Sequence, residues 1–137
     1  RKDVLNALSE VTGRADVVLI TGGLGPTSDD ITKPALCEFF GSELKINTEV
    51  LAMIEKMMLK RGFRMNEKNM RQAEVPESCR VLLNDVGTAP GMWFEKQKTI
   101  FISMPGVPLM QSVRRILLLV LSACCWFPTI AFSEPAG

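Results

Sequence analysis

The chain reads as an α/β protein with a mostly parallel sheet, and three features carry that reading. The run Ala15-Asp16-Val17-Val18-Leu19-Ile20-Thr21 is short, continuous and β-branched, the pattern of a strand buried on both faces of a parallel sheet. A glycine-rich turn, Gly22-Gly23-Leu24-Gly25-Pro26, follows it directly and leads into a helical pattern, giving a strand, loop, helix unit. Further helix and strand patterns alternate with turn residues in a chain of 137 residues, 47% hydrophobic and 23% charged, which suits one domain with a buried core.

The elements follow in order. Val4, Leu5 and Leu8 form one stripe of an opening amphipathic helix, which reads as the second half of a longer N-terminal piece because the chain starts at Arg1. After the strand and glycine loop, Asp29 or Asp30 can cap a helix running through Ile31, Ala35, Leu36 and Phe39 to a stop at Gly41, with Pro34 tolerated in its first turn. Asn47 caps a second helix that carries Val50, Leu51, Ile54, Met57 and Met58 at helical spacing to a stop at Gly62; these methionines read as packing residues. Asn66 to Ala73 makes a short third helix closed by Val75-Pro76. Then come Val81-Leu82-Leu83, a turn-rich stretch from Asn84 to Gly91, and strands around Met92–Glu95 and Thr99–Ser103 joined at Gln97-Lys98 as an antiparallel hairpin. Trp93 and Phe94 fall on opposite strand faces.

Beyond Met104-Pro105-Gly106-Val107-Pro108 the composition changes. Arg114-Arg115 precedes seventeen mostly apolar residues, Ile116 to Phe132, interrupted by Pro128. This pattern resembles a secretory signal, and Leu121-Ser122-Ala123-Cys124 resembles a lipoprotein cleavage box, but at the wrong end of a chain. Three readings stand: an unrelated or frame-shifted tail, a buried terminal helix, and a membrane anchor. The division expected is a domain over 1–108 and a divergent apolar tail over 109–137.

Composition narrows the chemistry. Sixteen basic and fifteen acidic residues give a net charge of +1 with no basic block, which argues against a nucleic-acid partner and for little attraction to a membrane. Histidine is absent, so carboxylates, hydroxyls and backbone amides must do any chemistry, favouring hard-metal or phosphate ligands. Cys37, Cys79 and the pair Cys124-Cys125 match no zinc or disulfide framework, which points to a cytoplasmic protein; Cys37 reads as a buried, inert thiol.

The segment Thr21-Gly22-Gly23-Leu24-Gly25-Pro26-Thr27-Ser28-Asp29-Asp30 stands where ligands of open α/β sheets bind, at the carboxyl end of a strand. Glycines let the backbone approach an anion, amides at the helix start can hold phosphate oxygens, and Thr21, Thr27 and Ser28 add hydroxyls. No Gly-Lys-Ser/Thr follows, so this is not a Walker loop, and Ser28 occupies the third glycine position of the dinucleotide fingerprint. A tight strand-to-helix connection with capping aspartates explains the loop equally well. Adjacent Asp29 and Asp30 repel unless a cation, a helix start or a polar ligand compensates them, so one could cap while the other meets a metal.

Thr21 to Thr32 resembles the TGGLGPT-x-DD-x-T segment of CinA-type domains and is similar to the GG-x-G…D-x-T segment of the wider MoaB/Mog-like, molybdopterin-binding group. Three more pieces follow in the family's order: Asn69 with Gln72-Ala73 and Pro76, then Asn84-Asp85-Val86-Gly87-Thr88-Ala89-Pro90-Gly91, then Met104-Pro105-Gly106-Val107-Pro108. The resemblance spans about residues 1–108. It implies a three-layer α/β/α domain, here lacking its first strand, whose glycine loop and Pro-Gly-x-Pro loop converge on one pocket. It further implies metal-assisted hydrolysis of ADP-ribose to AMP and ribose 5-phosphate, using magnesium or cobalt with potassium as an accompanying ion, or else non-catalytic binding of molybdopterin or a nucleotide. Homo-oligomers occur in this fold, and a homo-oligomer is the implied assembly. By the same resemblance Gly22, Gly23 and Gly25 cradle phosphate, Asp30 and Asp29 are the catalytic and metal-binding carboxylates, Pro105, Gly106 and Pro108 form the opposite wall, and Asn69 and Thr88 are polar ligand groups. The family's upstream Gly-Asp pair and its downstream acidic helix have no counterpart here, which implies impaired activity.

Overall fold

The computed structural model describes residues 1–25, 30–84, 86–106 and 130–131. Helix α1, Lys2–Val11, follows the stripe expected of it: Leu8 is buried, and Val4 and Val11 pack on the core beside it. It closes as Thr12 Oγ1 donates to the Leu8 carbonyl at 2.6 Å. The strand β1, Val17–Thr21, runs beside β6, Thr99–Met104, in parallel, with Val17 opposite Ile100 and Thr21 opposite Met104.

A hairpin of β5, Gly91–Lys96, with β6 and an antiparallel pairing of β5 with β4, Arg80–Leu82, extend the sheet on one side of β1. On its other side lies β7, Ile130–Ala131, parallel to β1 with Ile130 opposite Val17. The order is β4-β5-β6-β1-β7, in which β5 alone among the described strands runs against the others. The α/β class, the mostly parallel sheet and the antiparallel hairpin are therefore as the sequence indicates. The rest of the tail, 107–129 and 132–137, on which the three readings above fall, lies outside the described residues. No described helix is long and apolar enough to cross a membrane.

Both faces of the sheet are apolar, as a β-branched parallel strand requires. One face joins Val18, Met92, Phe94 and Phe101 to Leu8 of α1 and to Leu36 of α2, Thr32–Phe40. Phe40 of α2 stacks on Phe94 with ring centroids 4.2 Å apart and planes 5° apart, and it meets Phe101 edge-on at 5.4 Å. The opposite face gathers Val17, Ile102 and Met104, with Trp93 packed against them, so Trp93 and Phe94 do point to opposite sides.

Helix α3, Thr48–Lys60, starts at Asn47, whose Oδ1 accepts from the amides of Glu49 and Val50 at 3.1 and 3.0 Å. Helix α4, Glu67–Gln72, opens with a reciprocal capping box between Asn66 and Asn69. Val50, Ile54 and Ala73 form a small core there. Two short strands escape the sequence reading: β2, Leu44–Ile46, and β3, Glu74–Pro76, pair antiparallel. Each is three residues long, and β2 is exposed at all three positions, so neither carries the alternation by which strands are recognised.

Candidate functional site

Three loops meet at one end of the sheet. Because β1, β6 and β4 run the same way, the segments after Thr21, after Met104 and after Leu82 all emerge at their carboxyl ends. This is where open α/β sheets bind ligands.

The first two loops touch. Gly22 N donates to the Met104 carbonyl at 2.9 Å, which carries the β1–β6 ladder one step beyond the strand. A Cβ on Gly106 would lie 3.4 Å from the Gly22 Cα, so the Met-Pro-Gly turn packs directly on the glycine loop. Pro105, which leads into that turn, is half-buried. Gly22 and Gly106 are thus in contact, with Pro105 next to them in the chain.

Within the glycine loop, Gly22 and Gly23 adopt φ of +89° and +64°, a region that costs a side chain about 1–2 kcal/mol. At Gly23 a Cβ would also collide with Thr32 Oγ1. The Gly23 carbonyl accepts from Thr32 N at 3.3 Å, so the loop folds back on the first turn of α2. Asp30 reaches into this bend: a Cβ on Gly25 would stand 2.5 Å from the Asp30 Oδ2 and 3.2 Å from its Oδ1. Gly25 is thus needed for the carboxylate to lie over the loop. Leu24 is buried and fastens the loop to the core, while Thr21 stays exposed at its rim.

At the start of α2, Ile31 is already helical, with φ −83° and ψ −10°, and its own side chain makes no capping hydrogen bond. Asp30, immediately before it, lies over Gly25. Asp29, Thr27, Ser28 and Pro108 lie outside the described residues.

A cleft of about 720 Å³ opens beside the loop, bounded by Val4 and Leu8 of α1, Ile20 of β1, and Gly22, Gly23 and Thr32. Its walls are largely apolar, with Asp3 of α1 on one side and Thr21 and Thr32 at the glycine loop as its polar side chains.

The third loop, residues 83–90, carries Thr88, which is half-buried. Asn69 is buried on α4, where its backbone amide donates to Asn66 Oδ1 at 2.9 Å and its own Oδ1 accepts from Asn66 N at 3.2 Å. The capping box occupies that oxygen.

One charged residue beside the site was not singled out from sequence. Lys33, in the first turn of α2, is only 5% exposed; its Nζ donates to the carbonyls of Gln72 at 3.2 Å and Glu74 at 2.8 Å. A cation here opposes the α2 dipole but faces the carboxyl end of α4, whose dipole favours it. Burial pushes its pKa down, partly offset by the charges of Glu74 and Asp30. The signal was available, since Lys33 stands on the same stripe as Leu36 and Phe40 at spacings of three and seven. Cys37 and Cys79 are free and half-buried; desolvation raises both thiols, Cys79 to about 11.

For a divalent ion the described donor set is sparse, with no group of three or more Cys, Asp or Glu side chains close enough to hold one. Asp30 at the loop is the described carboxylate in position. Magnesium characteristically takes one or two carboxylates and completes its shell with water and ligand phosphates, so the residues fit an ion that arrives with a phosphorylated ligand.

Comparison with known proteins agrees with this arrangement. The family model described as "probable molybdopterin binding domain" matches residues 1–124. A CinA-like protein of Flavobacterium psychrophilum is 50% identical over 111 residues, covering 79% of this chain and 26% of the relative. Another from Cytophaga hutchinsonii is 50% identical over 106 residues, 77% of this chain and 25% of that protein. The crystal structure of CinA from Thermoplasma acidophilum superposes with a TM-score of 0.70 at 33% identity, covering 88% of this chain and 70% of that one. This chain spans about a quarter of the length of those CinA-like relatives. It belongs to the molybdopterin-binding domain family, as a CinA-like member.

Proposed function

We propose that this domain, as part of a complete CinA-like protein, hydrolyses the pyrophosphate of ADP-ribose, giving AMP and ribose 5-phosphate, with impaired activity in this chain. The observation that carries the reading is the Asp30 carboxylate held over a glycine loop that packs against the Met-Pro-Gly turn. In this reading the amides of Gly22, Gly23 and Gly25 hold phosphate oxygens, helped by the amino end of α2. Thr21, Thr27, Ser28 and Thr88 supply hydroxyl donors. Asp30 accepts a hydrogen bond from water and aims it at phosphorus; the new P–O bond forms as the bridging P–O–P bond breaks, and the proton of the water leaves to solvent. A divalent ion, magnesium or cobalt, held by Asp30 and Asp29 would neutralise charge on the pyrophosphate. The free thiols Cys37 and Cys79 suit a cytoplasmic setting.

The test is product analysis. Incubation with ADP-ribose and magnesium is expected to yield AMP and ribose 5-phosphate in equal amounts. The family's description favours a second reading, a module that binds molybdopterin or a nucleotide without turning it over. Saturable binding with no product would select it.

A further inference from the structure

Thr32 is the first residue of α2 and is only 8% exposed, and its hydroxyl is turned toward the glycine loop, where it is the group closest to the place a Cβ on Gly23 would take. Thr32 also lines the cleft beside the loop, together with Gly22 and Gly23. No hydrogen bond from this hydroxyl occurs among the described residues, although a hydroxyl buried without a partner is costly. The backbone beside it gives a spare donor a use. A helix start ordinarily offers its first amides to an anion. In α2 the Thr32 amide is taken by the Gly23 carbonyl at 3.3 Å, Pro34 has no N–H, and the Ala35 amide goes to the Ile31 carbonyl at 3.1 Å. This helix start therefore has few amides to give, and the Thr32 hydroxyl stands where they would act. Away from the loop the cleft is walled by apolar side chains such as Val4, Leu8 and Ile20 and by the carboxylate of Asp3, which repels a second anionic group. An anionic end is thus directed to the loop and an uncharged body to the walls.

We propose that Thr32 is a ligand-binding residue of this site: its hydroxyl donates to a phosphate oxygen of a phosphorylated ligand whose uncharged body lies in the cleft between α1 and β1. This rests on the reading above that the glycine loop holds the phosphate of the ligand. The bond from the Thr32 amide to Gly23 holds the side chain at the loop before any ligand arrives, so little ordering is lost on binding.

The probe is AMP, a phosphate ester that the proposed hydrolysis releases and cannot cleave further. It is titrated with magnesium present into the unaltered chain, Thr32→Val and Thr32→Ser, followed by amide NMR, and each chain is also melted without ligand. In the unaltered chain the amides of Gly22, Gly23 and Thr32 are expected to shift with AMP. Thr32→Val keeps the branched shape and loses the hydroxyl, and its Kd for AMP is expected to rise about tenfold. Thr32→Ser keeps the hydroxyl and is expected to stay within about threefold of the unaltered chain. Melting of Thr32→Val is expected to match the unaltered chain, because the hydroxyl has no bond among the described residues to lose. Equal AMP affinity in Thr32→Val, affinity in Thr32→Ser as weak as in Thr32→Val, or a Thr32→Val chain that melts early would each overturn the proposal, the last by making the hydroxyl structural. No saturable AMP binding by the folded unaltered chain would overturn it together with the phosphate site beneath it. AMP binding that depends on the Thr32 hydroxyl, with no AMP released from ADP-ribose, would sustain the inference and sink the hydrolase reading alone.

Discussion

At Gly23 two demands coincide, a left-handed backbone and the absence of a Cβ beside Thr32, and only glycine meets both. Gly62, at φ +74° after α3, meets only the first, since nothing stands within 4 Å of a Cβ placed there. Gly62→Ala is therefore expected to cost about 1 kcal/mol in chemical denaturation. Gly23→Ala is expected to cost about 2–3 kcal/mol and to abolish AMP release, because Thr32 or the loop must move. Equal costs at the two positions would remove the steric part of the argument. Cys79 gives a second test at this scale: with its thiol pushed up to about 11, less thiolate is present at pH 8 than in an ordinary cysteine. Alkylation of Cys79 in the folded chain is expected to be about 100-fold slower than in the unfolded chain at that pH and to speed up as pH rises toward 11. The glycines and Asp30 were legible in the sequence because their spacing is a motif. Lys33 was passed over because a charge on an apolar stripe is ordinarily read as an interruption, whereas here two backbone carbonyls receive it.

Among the elements, legibility follows length and periodicity. Helices α1 and α3 show their apolar stripes, and Asn47 caps α3 as its side chain suggests. At the start of α2 the sequence places an aspartate just before the helix, and the fold adds that Gly25 leaves room for the Asp30 carboxylate over the loop. The pair β2 and β3 offers too few residues for any period to appear. The β5–β6 hairpin turns through Gln97 and Lys98 at φ of 49° and 68°, with Lys96 opposite Thr99. Two positive φ values in a two-residue loop are the demand of a type I′ turn, which asparagine and glycine satisfy at less cost. Gln97→Asn with Lys98→Gly is expected to raise unfolding free energy by about 1 kcal/mol, measured by urea titration. A loss of stability would mean that the two side chains contribute contacts that outweigh the backbone term.

For the whole molecule, the topology does the work of assembling the site. Parallel β1 and β6 bring two loops into contact that are separated by more than eighty residues of sequence, and the antiparallel β5 returns a third loop to the same end. The family resemblance indicated that the first two converge; that the segment after β4 emerges at the same end needed the fold. The proposed hydrolysis requires that the glycine loop, the Asp30 carboxylate and the ligand's phosphates act as one unit. The most direct measurement is the rate of AMP release from ADP-ribose, with and without magnesium, for the unaltered chain and for Asp30→Ala. The account predicts release that depends on the metal and falls by at least about 100-fold in Asp30→Ala, the scale set by losing a positioned catalytic carboxylate. Release at the same rate from both chains, or none from a folded unaltered chain, would contradict it.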